Sequence, residues 1–300
     1  MKAEFMRISE MTEDEAREYL EALRWGENGV ICPHCGSIEA YKLEGKATRP
    51  GVYKCKACRK QFTVTVGTIF HGSRITIKKW LLAIYLMCSS KKGISAHQLH
   101  RTLDITYKTA WFMCHRIRYA MTQEPLEDML NGEVEVDETY IGGKRQGKRG
   151  RGAEGKTPVV ALIERDGELR AKKIECLSAK TLKGYIKENV SPEATINTDE
   201  FRSYRGLEKD FADHKTVQHG IGQYVNGSVH INTLEGWFSL LKRGVNGTFH
   251  HVSSKHLDRY INEFVFRYNN RKIDDAVRMM VAVNMVDGKK LTYRDTNLGN

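Results

Sequence analysis

Residues 133–143 read Glu-Val-Glu-Val-Asp-Glu-Thr-Tyr-Ile-Gly-Gly, and this stretch decides the fold class that the sequence predicts. Three residues of this stretch favour a β-strand: Val134, Val136 and Ile141. Acids alternate with the first two, and a glycine pair ends the strand. Asp137 stands in the middle of this strand, so its carboxylate is expected to be hydrogen-bonded, paired with a cation or bound to a metal. The alternative is an edge strand with its acids in water. The remaining acids are expected to face solvent or loops: Glu133, Glu135 and Glu138.

The chain of 300 residues, with 40% hydrophobic and 28% charged residues, is long enough for one sizeable core and one or two small modules. No apolar run reaches the roughly 18 residues of a membrane span, and the first residues lack the apolar segment of a secretory signal. The sequence therefore predicts a cytoplasmic, nucleoid-associated protein with no membrane partner.

Basic residues outnumber acidic residues by 48 to 37, which gives a net charge of +11 and a pI near 9.2. Such a balance favours a polyanionic partner, because the release of counterions drives binding to phosphate backbones. Together with the helical module and the motifs described below, this charge leads us to expect double-stranded DNA as the partner. The alternative is a basic protein whose lysines are only solvated.

Four of the seven cysteines form two Cys-x-x-Cys knuckles separated by residues 36–54, and they are Cys32, Cys35, Cys55 and Cys58. This spacing is typical of a zinc ribbon, in which two tight turns present four thiolates to one ion. Four thiolates leave no open position for a substrate, so the Zn²⁺ is expected to be structural. The scattered cysteines are expected to pack as small hydrophobic residues: Cys88, Cys114 and Cys176.

Three modules are predicted before residue 130. Residues 1–28 form an N-terminal helix, whose start is marked by a capping box from Thr12 to Glu15. Residues 29–72 form the zinc ribbon, and residues 73–124 form a helical module that resembles a helix-turn-helix.

The helical module contains predicted helices at residues 95–103 and 107–121, joined by a short turn. The basic side of the second helix consists of Lys108, His115, Arg116 and Arg118. We expect Lys108 and Arg116 to contact DNA from this side. The alternative is a helix pair that serves only as a packing unit.

Residues 130–275 are predicted to form an α/β domain with a mixed sheet flanked by helices, and residues 276–300 a tail. After the first strand, two more strands complete an antiparallel meander, and a helix and a short strand that ends at Asp199 follow. A further helix begins at Asn232, and the last strong helix covers residues 254–269.

Residues 144–156 carry six basic residues, one acidic residue and four glycines, directly after the first strand. The composition predicts a loop that grips phosphate groups, although such charge runs are often only solvated. The expected DNA contacts are Lys144, Arg145, Lys148, Arg149 and Arg151.

Three acids of the predicted domain are candidates for one shared site: Asp137 in a strand, Asp199 at a strand end and Glu235 in the first turn of a helix. Three such carboxylates can hold two Mg²⁺ or Mn²⁺ ions roughly 3.5–4 Å apart, which activate the attacking oxygen and stabilise the leaving oxygen of a phosphodiester. The alternatives are an ordinary turn at Asp199 and a capping box between Asn232 and Glu235.

The run Val-Asp-Glu-Thr-Tyr-Ile-Gly-Gly-Lys contains Asp137, and Asn-Thr-Asp ends at Asp199. A longer block, His-Ile-Asn-Thr-Leu-Glu-Gly-Trp-Phe-Ser-Leu-Leu-Lys-Arg-Gly, starts at His230 and is followed by Thr-Phe-His-His-Val-Ser from Thr248. These motifs resemble those of bacterial insertion-sequence DDE transposases with an N-terminal zinc ribbon, the ISXO-type group. The resemblance extends from residue 11 to about residue 271.

The resemblance implies a ribonuclease-H-like catalytic domain in which Asp137, Asp199 and Glu235 carry the metals. It also implies that Lys242, seven residues after the glutamate, contacts transposon-end DNA. Some members of the group have a third site residue other than glutamate, so Asn232 remains an alternative to Glu235.

The hypothesis from the sequence is a DNA transposase that binds element ends, frees a 3′-OH and joins it to target DNA. Two ends must be brought together, so a homodimer or larger assembly is expected on DNA. The alternatives are a non-catalytic DNA-binding regulator, in which the ribbon and helical module suffice, and a nuclease that cuts without joining.

Overall fold

The computed structural model describes residues 2–45, 47–123, 128–142, 155–217 and 230–297. The chain divides into two compact units, one of Met1–Met121 with Asn270–Asn300 and one of Thr122–Asn269. No helix within these described ranges is both long and apolar enough to cross a membrane.

The described helices, in chain order, are α1 (Lys2–Glu10), α2 (Glu13–Trp25), α3 (Ile77–Ser89), α4 (Ala96–Leu103), α5 (Tyr107–Ala120), α6 (Ala179–Asn189), α7 (Asn232–Arg243), α8 (Leu257–Asn269), α9 (Asp275–Asn284) and α10 (Tyr293–Asn297). The strands are β1 (Ala40–Lys42), β2 (Tyr53–Cys55), β3 (Gln61–Phe62), β4 (Glu133–Ile141), β5 (Thr157–Glu164), β6 (Leu169–Lys173), β7 (Thr195–Thr198) and β8 (Asp213–Thr216).

Helix α3 is the centre of the first unit, because α1, α2, α4, α5 and α9 all contact it. Its sequence is apolar around most of the helix, which is the pattern of a helix enclosed by others. The capping box predicted for α2 is confirmed: Thr12 accepts from the amide of Glu15, and the Glu15 carboxylate accepts from the amide of Thr12 at 2.7 Å.

A small antiparallel sheet, in the order β1-β2-β3, follows α2. Tyr53 and Phe62 stack at 5.9 Å between ring centroids, and Trp25 meets Tyr53 edge-on at 5.1 Å. The Tyr53 hydroxyl donates a hydrogen bond of 2.8 Å to Glu21 on α2. The ribbon therefore shares an aromatic cluster with the end of α2.

The segment predicted to be a tail, residues 276–300, instead supplies most of α9 and all of α10. Helix α9 packs on α3 through Met279, Ala282 and Val283, which are buried. Arg278 donates to the carbonyl of Cys88 at 3.0 Å. A short apolar helix of this kind forms because α3 offers a surface to cover, and its own sequence gave no strong periodic signal.

The basic side predicted for α5 is largely buried, which corrects the expectation for Arg116. His115, Arg116 and Arg118 are 0%, 4% and 2% exposed. The Arg116 guanidinium donates to the carbonyl of His71 at 2.6 Å and lies over the ring of Trp80 at 5.4 Å. Burial lowers the pKa of Arg116 to about 10. A long cationic side chain can be buried when its head finds carbonyl and aromatic partners.

The second unit contains a five-stranded mixed sheet in the order β6-β5-β4-β7-β8. The pairs β6-β5 and β5-β4 are antiparallel, whereas β4-β7 and β7-β8 are parallel. The predicted meander and the predicted mixed α/β architecture are confirmed. Strand β8 was not predicted, since residues 202–230 carry no clear periodicity.

Alternation along β4 and β5 directs side chains to two separate cores. Val134 and Val136 pack with α6, which covers one face of the sheet. Ile141, with Val159 and Ala161, packs with α7 and α8 on the other face. Asp137 has the strand parity of Ile141, so its carboxylate belongs to the face that carries α7.

Candidate active site

The short parallel pairing of β4 with β7 determines where Asp137 and Asp199 lie. The two strands pair only from Glu133 to Glu135 and from Thr195 to Asn197. Asp137 lies two residues beyond this pairing on β4, and Asp199 follows the end of β7. The carboxyl ends of neighbouring parallel strands are where α/β sheets commonly open a crevice.

Asp137 is half-buried, and its Oδ1 accepts a hydrogen bond of 2.7 Å from the amide of Glu138. Burial raises the pKa of Asp137 to about 8, and the charges of Glu138, Asp199 and Glu235 add to this effect. The three acids predicted from the sequence therefore act on one another electrostatically. A carboxyl in this field needs a proton or another cation near it to be stable.

Asp199 begins the turn after β7, and its Oδ1 accepts from the amide of Phe201 at 2.9 Å. The ordinary turn at Asp199, which was the alternative to a metal-binding role, is thus present. It holds one carboxylate oxygen of Asp199, and the same carboxylate also raises the pKa of Asp137.

Glu235 lies in the first turn of α7, but the proposed capping box with Asn232 does not form. Asn232 is the first helical residue, and the N-cap position is Ile231, which has no capping side chain. The N-terminus of α7 is instead bound by Glu135 of β4, whose Oε2 accepts from the amides of Thr233 and Leu234 at 3.1 and 3.2 Å. Glu135 is 0% exposed, so the expectation that it faces solvent or a loop is wrong.

A cavity of about 770 Å³ lies beside two of the three predicted acids, Asp137 and Glu235, and Asp199 is not among its lining residues. Its lining includes the acids Asp137, Glu138 and Glu235 and also Lys242, Arg243 and Asn246. Glu235 and Lys242 therefore project the same way from α7, as their seven-residue spacing requires. Partial burial lowers the pKa of Lys242, while Asp137 opposes the shift.

Helix α7 continues into a π-helical turn, Gly244–Thr248. Asn246 and Gly247 of this turn line the cavity. Single π-helical turns are rare and are often found at functional sites, because they redirect side chains that an α-helix would place elsewhere.

Sequence reasoning missed Tyr204, which lies in a short 3₁₀ turn after Asp199. Its hydroxyl donates a hydrogen bond of 2.5 Å to Oε2 of Glu138, and the side chain is 1% exposed. Burial, followed by the charge of Glu138, raises the pKa of Tyr204 well above its ordinary value. An aromatic residue shortly after an acidic strand end was the only available signal.

The four cysteines of the ribbon converge as predicted. All four Sγ atoms lie within 4.8 Å of one another, with Cys32 and Cys58 at 3.7 Å and Cys35 and Cys55 at 3.6 Å. A tetrahedral site with Zn–S bonds of about 2.3 Å places its sulfur atoms about 3.8 Å apart, so the geometry fits Zn²⁺. The amide of Cys58 donates to Sγ of Cys55 and lowers the pKa of that thiol to about 6.

The three acids are less tightly grouped than the thiols. Among the described residues, the cysteines form the one group of three or more potential ligands whose atoms all lie within 4.8 Å. Carboxylates further apart than this can still share a pair of bridged ions, since two such ions are themselves roughly 3.5–4 Å apart.

Comparison with known proteins identifies the family. Residues 129–269 match the ISXO2-like transposase domain, and residues 11–61 match the transposase zinc-ribbon domain. An uncharacterized protein in transposable element ISH50 of Halobacterium salinarum is 32% identical over 274 residues, which cover 86% of this chain and 91% of the relative. The chain belongs to the ISXO2-like transposase family. An uncharacterized transposase-like protein of Haemophilus influenzae is 26% identical over 104 residues, or 35% of this chain and 83% of that protein.

In this ISXO2-like family member, the candidate zinc ligands and the candidate catalytic residues lie in different matched regions. The zinc-ribbon match contains all four cysteines, and the transposase-domain match contains Asp137, Asp199, Glu235 and Lys242. The resemblance stated from the motifs is therefore confirmed.

The predicted DNA contacts of this ISXO2-like chain have different outcomes. Lys108 is exposed in the first turn of α5, with Nζ 4.7 Å from the ring centroid of Tyr293. Arg116 is buried and does not reach the surface. The predicted contacts of the basic loop lie outside the described residues: Lys144, Arg145, Lys148, Arg149 and Arg151.

Proposed function

We propose that this protein is a DNA transposase that cuts a phosphodiester bond at each element end and joins the freed 3′-OH to target DNA. The observation that carries the proposal is a cavity lined by Asp137 and Glu235 together with Lys242 and Arg243, and the charge of Asp199 also acts on Asp137. Acids and cations around one cavity suit a phosphodiester and its metal ions.

Asp137, Asp199 and Glu235 are the residues that would hold Mg²⁺ or Mn²⁺, with Asn232 no longer preferred. Glu235 is preferred because it lines the cavity with Asp137 and because its charge acts on Asp137, as the charge of Asp199 does. A divalent cation bound there would supply positive charge for the attacking and leaving oxygens of the phosphodiester. The donor set fits, because oxygen ligands are those that Mg²⁺ and Mn²⁺ prefer.

The reaction has two displacements of the same kind. In the first, water adds to phosphorus and the P–O3′ bond breaks, so the element end becomes a 3′-OH. In the second, this hydroxyl adds to a phosphorus of target DNA, and the target O3′ leaves. One P–O bond forms as one breaks, so no external energy source is needed.

The side chains of this protein would act mainly by positioning the DNA, which is the larger part of catalysis in an in-line displacement. Lys242 and Arg243 would hold phosphate oxygens near Asp137 and Glu235, since these four residues line one cavity. Phe238 also lines the cavity and is 4% exposed, so it offers a fixed apolar wall.

The finer description of the fold supports this chemistry. A mixed sheet in the order β6-β5-β4-β7-β8, with α6 on one face and α7 and α8 on the other, is consistent with a ribonuclease-H-like domain over residues 130–275. We retain the zinc ribbon at residues 29–72 and the helix-turn-helix-like module at residues 73–124 as proposals for DNA-end binding.

Within the helical module, the first turn of α5 is the better candidate for base contact than its buried middle. Thr106, Tyr107 and Lys108 are exposed there, and Tyr107 stacks on His97 of α4 at 4.2 Å between ring centroids. In helix-turn-helix proteins the N-terminal residues of the second helix contact base edges. Synapsis of two ends implies a homodimer or larger assembly on DNA in the nucleoid.

The test uses the full chain with labelled element ends and a target plasmid. Asp137→Ala is expected to abolish strand cleavage in Mg²⁺ while end binding stays within about twofold of wild type. Glu193→Ala, at an exposed acid in the same unit, is the matched control and should cleave normally. Persistent cleavage by Asp137→Ala would overturn the site, and binding without any cleavage by wild type would favour the non-catalytic regulator. Cleavage without joining would identify a nuclease.

A further inference from the structure

Helix α7 begins without a cap of its own and takes its cap from another element. The first amides of a helix have no partner within the helix, and a side chain at the N-cap usually satisfies them. Here Ile231 occupies that position and offers no such side chain. Glu135, almost 100 residues earlier on β4, accepts from the amides of Thr233 and Leu234 and from the hydroxyl of Thr233 at 2.9 Å.

The carboxylate of Glu135 is held from several directions at once. Arg165, which follows β5, places Nε 3.4 Å from Oε1, and His230 places Nδ1 3.2 Å from the same oxygen. Arg165 also donates to the carbonyl of His230 at 3.3 Å. A carboxylate that is 0% exposed is costly unless its oxygens are satisfied in this way, and the helix N-terminus adds favourable partial charge.

This cap connects the two elements that carry the candidate metal ligands. Glu135 and Asp137 are two residues apart on β4, so their side chains leave the same face of the sheet. Glu235 is one and two residues after the amides that Glu135 binds. A shift of the start of α7 would therefore move Glu235 relative to Asp137 directly, and Lys242 two turns later would move with the helix.

We propose that Glu135 is a positioning residue for the active site, which fixes the start of α7 on β4 so that Glu235 and Lys242 face Asp137. The proposal rests on the proposed function for its catalytic consequence, but the cap itself can be tested without catalysis. Glu135 does not bind DNA or metal in this role. Its effect is exerted through the geometry of α7.

If Glu135 served only to stabilise the fold, its loss would have the same effect as the loss of another buried, paired acid. The same unit contains such an acid as a control. Glu263 on α8 is also 0% exposed, and it pairs with Arg267 within its own helix. Loss of its charge should lower stability without moving α7. Glu135→Gln keeps an acceptor oxygen and nearly the same volume, whereas Glu135→Ala removes both.

The experiment compares full-length wild type, Glu135→Gln, Glu135→Ala and Glu263→Gln. Hydrogen exchange should show amides of the first turn of α7 exchanging at least tenfold faster in Glu135→Ala, with a smaller change in Glu135→Gln and none in Glu263→Gln. The Mg²⁺ concentration for half-maximal end cleavage should rise at least tenfold in Glu135→Ala and recover partly in Glu135→Gln. Binding to element ends without metal should change less than twofold.

Unchanged exchange at the start of α7 in Glu135→Ala, or in Glu135→Gln if the alanine variant does not fold, would overturn the proposal. So would an equal rise in the Mg²⁺ requirement for Glu263→Gln, because that result would indicate general destabilisation. If wild type shows the expected exchange protection but never cleaves DNA, the proposed function fails while the cap stands.

Discussion

The hydroxyl of Tyr204 donates a hydrogen bond of 2.5 Å to Oε2 of Glu138, the residue that follows Asp137 on β4. Tyr204 is almost completely buried, and Glu138 lines the cavity beside Asp137 and Glu235. The contact therefore links the core on the α6 side of the sheet to the acidic wall of the candidate site.

Tyr204→Phe should remove this link and leave the packing of the ring intact. We expect the free energy of unfolding to fall by about 1.5–3 kcal/mol, which is typical for a hydrogen bond to a charged group. We also expect end cleavage to slow several-fold, because Glu138 loses its fixed orientation. Chemical denaturation and single-turnover cleavage measure the two effects. Tyr185→Phe, in the same core, is the control and should cleave at the wild-type rate.

Asp137→Asn should stabilise the metal-free protein at high pH. The folded-state pKa of about 8 exceeds the ordinary value of 3.8, so the folded state holds this proton more tightly. The corresponding stability is complete below pH 4 and is lost as the pH rises towards and through 8. The variant lacks the ionisation, so we expect its free energy of unfolding to fall less than that of wild type between pH 5 and pH 8, which leaves it the more stable protein at pH 8.

Denaturation in urea at pH 5 and pH 8, followed by tryptophan fluorescence, gives this comparison. Addition of Mg²⁺ at pH 8 should raise the midpoint of wild type and leave Asp137→Asn nearly unchanged, since a bound cation replaces the proton. A variant that is no more stable than wild type at pH 8 would contradict the electrostatic interpretation of the site.

Removal of zinc should unfold the ribbon and loosen the end of α2. The ribbon's small sheet shares its aromatic cluster with Trp25. The spacing of its four Sγ atoms fits one tetrahedral zinc ion. We expect one Zn²⁺ per chain by elemental analysis, and loss of end binding after chelation or in Cys55→Ser. The near-ultraviolet circular dichroism of the aromatic cluster should weaken in parallel. Full end binding by metal-free protein would contradict a role for the ribbon in recognition.

Lys108→Ala and Arg116→Ala should separate DNA contact from packing in α5. Lys108 is exposed, so its loss should weaken end binding and reduce the slope of log K against log salt by about 1. Arg116 is buried against Trp80 and hydrogen-bonded to His71, so its loss should lower the melting temperature. The salt slope of folded Arg116→Ala should equal that of wild type, and a reduced slope would restore Arg116 as a phosphate contact.

Several features could be predicted because they are encoded locally. The two Cys-x-x-Cys knuckles specify the ribbon by spacing, and the capping box that starts at Thr12 specifies where α2 begins. The meander followed from alternation and turn residues, and Asp199 followed from its place at a strand end. Each of these signals acts over a few residues, so a single sequence suffices to read it.

Other features depend on which surfaces meet. The polar residues of α5 indicated an exposed basic side, yet Arg116 is buried because a carbonyl and an aromatic ring satisfy it. Helix α9 forms on the surface that α3 offers, and its own periodicity did not reveal it. Tyr204 became part of the site only because the turn after β7 brings it to Glu138.

The sequence by itself predicted the strand that β4 forms and the acid in its middle, and it named Asp199 and Glu235 as the candidate partners of that acid. Only the tertiary structure decided the role of Glu135, two residues before Asp137. Alternation within a strand specifies which side chains share a face, but it does not specify what covers that face. Helix α7 covers it here, and the uncapped amides of that helix turn an acid expected in solvent into a buried cap.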